Sequence, residues 1–437
     1  MSRTLPSLSA TLALASLAHA QAVPTGQDKL PPAQSTGMVA PLPPQGPLDQ
    51  VAGQPNSQGT TFVTPGMPTM GLRVSSGQVT RFSNEFNPAF SFIIDSLGQL
   101  ADNDTGSDGA DVELRSMELA ANAWVDPNAW AYFVAVLEDE SLAIEEAAVH
   151  YTGFGDKNRL RAGRFFIDFG KQMQIHVHEL RTLERPLALR AFLGDEVKGD
   201  GLQWDSWTTA GDATAIRWSL GAFASTLPEL DGDADPTVTP VSELASPKNG
   251  DDFNFTARLT GFTEVGERGT LQLGTSARFI PNYEAQLDGA TIDSDLSNTV
   301  YGLDATFGWV GETGIDSWTI GGELLFSSGD TGLELVGPNA ANAADWAVNG
   351  DTLLGYFAFA EYAWNRFNAV GTQFSQAELG DGDEQSEVEL YYTRMFSEFH
   401  RLRFVLASND SDANGTNSRV ALQYTAVLGA HGHGVNW

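Results

Sequence analysis

Residues 317–326 read SWTIGGELLF, and the stretch divides into two faces at every second residue. Trp318, Ile320, Gly322, Leu324 and Phe326 fall on one side, and Ser317, Thr319, Gly321 and Glu323 on the other. A period of two is that of an extended strand, whose side chains leave opposite faces of the pleat in turn. The division recurs in TLQLGTSARF (270–279), where Leu271, Leu273, Thr275, Ala277 and Phe279 oppose Gln272, Gly274, Ser276 and Arg278. IRWSLGA (216–222) sets Ile216, Trp218, Leu220 and Ala222 against Arg217, Ser219 and Gly221. RVALQYTAVL (419–428) sets Val420, Leu422, Tyr424, Ala426 and Leu428 against Arg419, Ala421, Gln423 and Thr425. From about residue 90 onward such segments follow one another, separated by turns rich in Gly, Asp and Asn.

Alternation by itself also suits a soluble sandwich. Three features point elsewhere. The segments are near the roughly 9 to 11 residues that a tilted strand needs to cross a bilayer. Aromatic residues gather near segment ends, as in FGWV (307–310), EYAWNRF (361–367) and YYTRMF (391–396), where membrane-interface girdles belong. The second face carries small and polar residues, which suit a wet lumen better than a packed interior. Candidates between Phe90 and His431 number about sixteen, an even count as closure requires. In lipid every backbone polar group must be paired, and a closed barrel is the all-β way to do so. The expected fold is all-β: a transmembrane antiparallel β-barrel of about 16 strands.

Composition agrees. The 437 residues include no cysteine, so neither disulfides nor thiolate metal sites are available. Charged residues make up 18%, and the formal net charge is −32. That acidity argues against nucleic acid, which needs a basic stripe. Residues 1–20, MSRTLPSLSATLALASLAHA, have Arg3 before an apolar stretch and end in Ala18-His19-Ala20, the form of a secretory signal peptide cut after Ala20. Residues 21–75 are rich in proline and are expected to be a flexible tether, with the barrel occupying 76–437. Acidic turns at 102–111, 230–236, 380–384 and 408–418 supply much of the charge, and the segments 229–252 and 328–351 read as the longest outward loops. Asp410, Asp412, Asn414 and Gly415 match the opening of a calcium loop, but its twelfth position is Ala421 rather than a carboxylate, so a solvated hairpin is the reading.

Against this acidity, nine of the 24 Lys and Arg residues lie between 157 and 198. In NRLRAGRFFIDFG (158–170), Arg159 and Arg161 point to one side, with Leu160 and Ala162 toward lipid. Strict alternation would put Arg164 in lipid, and a bulge at Gly163 would avoid that. Alternation stops after Gly170 and resumes at DGLQW (200–204). A connection of about thirty residues inside a barrel is usually functional. Its apolar Leu180, Leu183, Leu187, Leu189 and Phe192 cannot all face water, so the segment is expected to fold into the lumen as a constriction loop.

The block LRAGRFFIDFGKQMQIHVHELRTLERPLALRAFLGDEVKGDGLQW (160–204) resembles the signature of the zinc-regulated outer-membrane porins and, more distantly, the phosphate-selective porins. Gly163, Arg164, Phe165, Phe169, Gly170, His176, His178, Glu184, Pro186, Leu187, Arg190, Phe192, Gly194, Glu196, Asp200 and Gly201 carry the resemblance, and the tail LQYTAVLGAHGHG adds to it. Gln174 and Val197 depart from the pattern, which has Asn and Gly there. The resemblance implies a passive outer-membrane channel.

The site expected from these residues is a pore constriction made by Arg159, Arg161, Lys171, Arg181, Arg185 and Arg190 with Glu184 and Glu196. The arginines would either filter ions or pair internally with carboxylates and hold the loop folded. His176 and His178 form an H-x-H pair that could hold Zn²⁺ given a third ligand such as Glu179, Glu184 or Asp195, while His431 and His433 form a second pair near the C-terminus. No cofactor is otherwise expected. The function read from the sequence is passive diffusion of small hydrophilic solutes or ions across a bacterial outer membrane, with lipid as surroundings and a homotrimer as one assembly. The alternatives are a structural envelope barrel whose tether binds another envelope component and, on the strength of His150 alone, an outer-membrane hydrolase.

Overall fold

The computed structural model describes residues 88–429, apart from 104–108, 139–140, 212, 225–226, 228–230, 233–240, 244–249, 251–252, 381, 398 and 412–414. The expected signal peptide and tether, and the His431/His433 pair, lie outside the described residues. Sixteen long strands form one closed antiparallel sheet. They are β1 (Ala89–Asn103), β2 (Gly109–Asp126), β3 (Ala129–Glu138), β4 (Ser141–Tyr151), β5 (Asn158–Phe166), β6 (Lys198–Ala210), β7 (Thr214–Phe223) and β8 (Asn254–Val265). There follow β9 (Gly269–Leu287), β10 (Ala290–Val310), β11 (Ser317–Leu335), β12 (Trp346–Asn365), β13 (Asn368–Glu378), β14 (Glu384–Ser397), β15 (His400–Ser411) and β16 (Gly415–Gly429). Each pairs with its neighbours in sequence, and β1 closes the ring on β16, from Ser91 opposite Gly429 to Asn103 opposite Asn417.

The two faces separate as the period of two requires. On β16, Val420, Leu422, Tyr424 and Leu428 are exposed, while Ala421, Gln423 and Thr425 are buried. On β11, Trp318, Ile320 and Phe326 face out and Glu323 faces in; on β9, Leu273 and Phe279 face out, and Gln272, Ser276 and Arg278 face in. An outward belt of large apolar side chains on a closed sheet is what a hydrocarbon surround demands. Near the short turns the aromatics pair on this outer face: Trp318 stacks on Tyr362 with ring centroids 4.7 Å apart, and Trp364 on Tyr392 at 5.9 Å.

Two local expectations are corrected. No bulge occurs at Gly163: β5 keeps its register with both neighbours through Gly163, opposite Ala148 and Gly201. Gly163 serves close packing instead, with φ +129° and its α-carbon against the backbone of Ala147 and Ala148. Arg164 does face outward, where Asp200 receives it through two bonds of 2.8 Å, so the charge is paired. The segment 328–351 is not a loop throughout. β11 and β12 extend as a paired ribbon to Leu335 opposite Trp346, and only 336–345 connect them. The small and polar residues of this stretch resemble a loop in composition, yet Leu287, Leu333, Ala343 and Trp346 bury a local apolar cluster there. The 229–252 segment contributes short pairings to these extensions, with Asp231–Gly232 along Gly332–Leu333 and Val241–Glu243 along Glu284–Gln286.

The principal apolar core lies inside the ring. Phe165, Ile167, Phe169, Met173, Leu187, Ala188, Leu189, Phe192, Leu193 and Val197 pack against the inward Phe223, Val300, Leu325, Phe357, Phe359 and Ala377 of the wall. The 167–197 segment is therefore folded into the barrel.

Candidate functional site

The loop leaves β5 at Phe166 and returns at Lys198, its ends joined by Ile167 N–H to Val197 O at 3.0 Å. Gly170 turns it inward at φ +55°, a conformation that glycine adopts without strain, and packs so closely on Glu323 that a side chain there would strike the carboxylate. The Lys171 and Gln172 amides donate to Glu323 Oε1 at 2.6 and 3.2 Å, satisfying donors that no strand partner reaches. A 3₁₀ turn covers Val177–Glu179, and helix α1 covers Leu187–Leu193 between Pro186 and Gly194 (φ +91°), the usual order of a proline start and a glycine stop. Leu180, Leu183, Leu187, Leu189 and Phe192 are all buried, each worth about 1.5–3 kcal/mol. Gly302 and Gly355 leave room on the wall for the rings of Phe169 and Phe192.

Polar bonds tie the loop to many sides of the ring. Ala188 N–H donates to Ser375 Oγ on β13 at 3.0 Å, and Leu183 N–H to Glu389 on β14 at 3.2 Å. Arg115 of β2 donates to Leu183 O at 2.6 Å, Arg403 of β15 to Thr182 O at 2.9 Å, and Arg401 to His178 O.

All six expected cations lie on the lumen side, mostly beside carboxylates. Arg159 binds Asp205 at 2.8 Å, and Arg217 bridges Asp205 and Asp168, each at 2.5 Å. Arg161 donates to Gln203 at 3.1 Å and covers the Phe165 ring. Arg181 stacks over Phe359 with Glu361 3.7 Å away. Arg185 is wholly buried beside Glu196 at 3.4 Å, and Glu196 also accepts from Lys198 at 2.5 Å. Arg190 joins Glu184 at 3.2 Å and Glu387 at 2.8 Å, and Arg419 reaches Glu184 at 2.6 Å. Lys171 has no such direct partner: burial first, and then the nearby Arg181 and Arg258, push its amine down to about 7 despite Asp304 and Glu323. Around the arginines of the loop, then, the wall and the loop together supply matching acids.

The histidines meet the wall as well. His176 and His178 are not in continuous extended chain, since the 3₁₀ turn begins at Val177, yet their ring centroids are 5.7 Å apart. Glu184 and Asp195, two of the expected third ligands, sit beside arginines. The carboxylates that close on the histidines come instead from β2 and β4. His178 Nδ1 lies 2.7 Å from Glu118, and His176 lies 3.5 Å from Glu118, 3.3 Å from Glu145 and 3.1 Å from Glu146. Burial alone would depress the His176 imidazole, but Glu145, Glu118 and Glu146 together hold it well above its ordinary range. His150 packs edge-on to Trp130 and beside Tyr132, centroids 5.2 and 5.4 Å away, an aromatic seat rather than a nucleophile's neighbour.

Sequence reasoning did not single out Glu118, Glu145, Glu146, Asp205, Arg217, Arg401, Arg403, Glu387 or Glu389. Some carried a signal: Glu387 and Glu389, like Arg401 and Arg403, are like charges two apart on strands whose other face is apolar, which directs both members inward.

No family model and no curated protein matches the chain. Solved structures do. The outer-membrane channel DcaP of Acinetobacter baumannii superposes with a TM-score of 0.51 at 9% identity, over 80% of this chain and 99% of that one. The anion-selective porin from Comamonas acidovorans gives 0.51 at 11%, over 79% and 100%. At these identities the likeness establishes the architecture, a 16-strand barrel of outer-membrane porin type. The narrower likeness to zinc-regulated porins stays with the 160–204 block and gains nothing from these comparisons.

Proposed function

We propose that the protein is a porin of the bacterial outer membrane, giving passive diffusion of small hydrophilic solutes or ions through a lumen narrowed by residues 167–197. The observation that carries the reading is the placement of that loop, packed inside a polar-lined ring and bonded to the wall from β2 to β15. The pairing of its arginines with carboxylates supports a weakly selective channel rather than a bare cationic filter. Lys171 is the loop cation with a titration near neutrality.

Refolded protein in a planar bilayer is expected to give steady, ohmic conductance. Its anion-to-cation permeability ratio should fall as pH rises through about 7, because Lys171 is charged below that value and neutral above it. In Lys171→Met this step should flatten. A bilayer without conductance steps would rule out the channel; a pH step unchanged in Lys171→Met would remove Lys171 from the ion path.

A further inference from the structure

We propose that the histidine–glutamate cluster between the loop and strands β2 and β4 is a binding site for a divalent transition-metal ion of the zinc class. Donor atoms of Glu118, His176 and His178 converge there, all within 4.8 Å of one another. His176 Nδ1 lies 3.3 Å from Glu145 Oε2 and 3.5 Å from Glu118 Oε2. Glu118 Oε2, Glu145 Oε2 and His176 Nδ1 have no hydrogen-bond partner of ordinary geometry, although Glu118 and Glu145 are only 2% and 3% exposed. Buried polar atoms normally find hydrogen-bond partners, so unmatched atoms gathered about the His176 imidazole call for one. Their separations exceed an ordinary N–H···O contact of about 2.9 Å. The two distances to His176 Nδ1 are close to the roughly 3.3 Å that separates two ligand atoms each held about 2.0–2.1 Å from zinc. His178 Nδ1, 2.7 Å from Glu118 Oε1, is the third donor, and Glu145 beside His176 is placed to supply a fourth.

The surroundings are arranged to present these atoms. His176 turns Nε2 to Glu146 Oε1 at 3.1 Å, which leaves Nδ1 for an ion, and the Tyr132 hydroxyl fixes Glu146 at 2.8 Å. A carboxylate behind a ligating imidazole sets its tautomer and raises its basicity. Strict alternation would send only one of Glu145 and Glu146 inward. A shift in the β3–β4 register, where Val134 opposes Glu146 and Ala135 opposes Ile144, bulges Glu145 and brings both to the cluster. Lys198 Nζ lies 3.5 Å from Glu145 Oε1 but is shared with Glu196 at 2.5 Å, so the cluster keeps a negative charge that a dication would balance. Two imidazoles with carboxylates suit zinc and its neighbours, whereas calcium and magnesium take oxygen alone. The site also lies beyond the last β4–β5 pair, Ala147 with Arg164, so an ion would clamp the loop to the wall where strand pairing has ended.

The test uses full-length refolded protein in detergent, stripped with chelator, in a His431→Ala, His433→Ala background that removes the other pair. Titrated with Co²⁺, it should bind one ion per chain with the visible absorption of a four-coordinate centre, displaced by Zn²⁺. His176→Ala and Glu118→Gln should abolish that spectrum, and Glu146→Gln should weaken affinity roughly tenfold or more. Should His176→Ala fail to refold, the near-isosteric Glu118→Gln decides. Absence of a four-coordinate Co²⁺ spectrum in the parent, or one retained in Glu118→Gln, overturns the proposal. Conductance is not read, so the result stands apart from the channel reading.

Discussion

Excising residues 172–194 and joining 171 to 195 through a short Gly-Ser linker is expected to raise single-channel conductance by roughly two- to fivefold, because conductance follows the narrowest cross-section of a pore. The barrel should survive the excision, since strand pairing closes the ring without help from the loop: β5 pairs with β6 from Asn158 opposite Ser206 to Phe166 opposite Lys198, and β1 pairs with β16. Stability should fall, because Phe223, Leu325, Phe357 and Phe359 would face water in place of Phe192 and its neighbours. The checks are conductance in planar bilayers and the urea midpoint in detergent. Conductance equal to that of the intact protein would mean that the loop does not limit the pore.

The second large effect is expected from Asp205→Ala. Asp205 is completely buried and accepts from Arg159 at 2.8 and 3.0 Å, Arg217 at 2.5 Å and Gln203 at 2.9 Å. Its removal takes a carboxylate from two guanidinium groups that cannot escape to bulk water, and breaking one side of a buried ion network costs about 3–5 kcal/mol. Asp205→Asn, which keeps shape and two acceptor lone pairs, should lose less. Urea unfolding in detergent measures both, and a loss for Asp205→Ala under about 1 kcal/mol, the value of a surface pair, would mean that water already screens this cluster.

Much of the architecture was legible because lipid on one side and polar lumen on the other imposes a period of two on every strand. Segments such as 419–428 state their faces outright. The ribbon extensions of β11 and β12 were not legible, since beyond the membrane that demand relaxes and residues such as Gly332 and Asn349 pair in a stretch that reads as loop. The loop itself was visible from the loss of alternation after Gly170 and from leucines that needed cover. Its partners were not. Glu118 and Glu389 lie 60 and 206 residues from His178 and Leu183, and ring closure alone brings them together. Glu145 was hidden for a local reason: a bulge breaks the alternation of SLAIEEAAVHY, so its direction cannot be counted from its neighbours. Alternation and the uncovered loop directed Arg159, Arg161, Arg185 and Arg190 inward, but which carboxylates Arg159, Arg185 and Arg190 meet depends on β6, β14 and the far end of the loop itself.

On this reading the loop borders the path that solutes take. The most direct test is the zero-current potential across a planar bilayer under a salt gradient, for the parent and for a variant with Arg181, Arg185 and Arg190 changed to Gln. The change uncovers Glu361, Glu196, Glu184 and Glu387. Each lost charge about 8 Å from a passing ion is worth about 0.5 kcal/mol at the permittivity of water, with opposite sign for cation and anion, and salt at about 0.1 M roughly halves it, so three should move the cation-to-anion permeability ratio about tenfold toward cations. An unchanged potential in a channel that still conducts would contradict the account, leaving the loop as internal scaffolding away from the path.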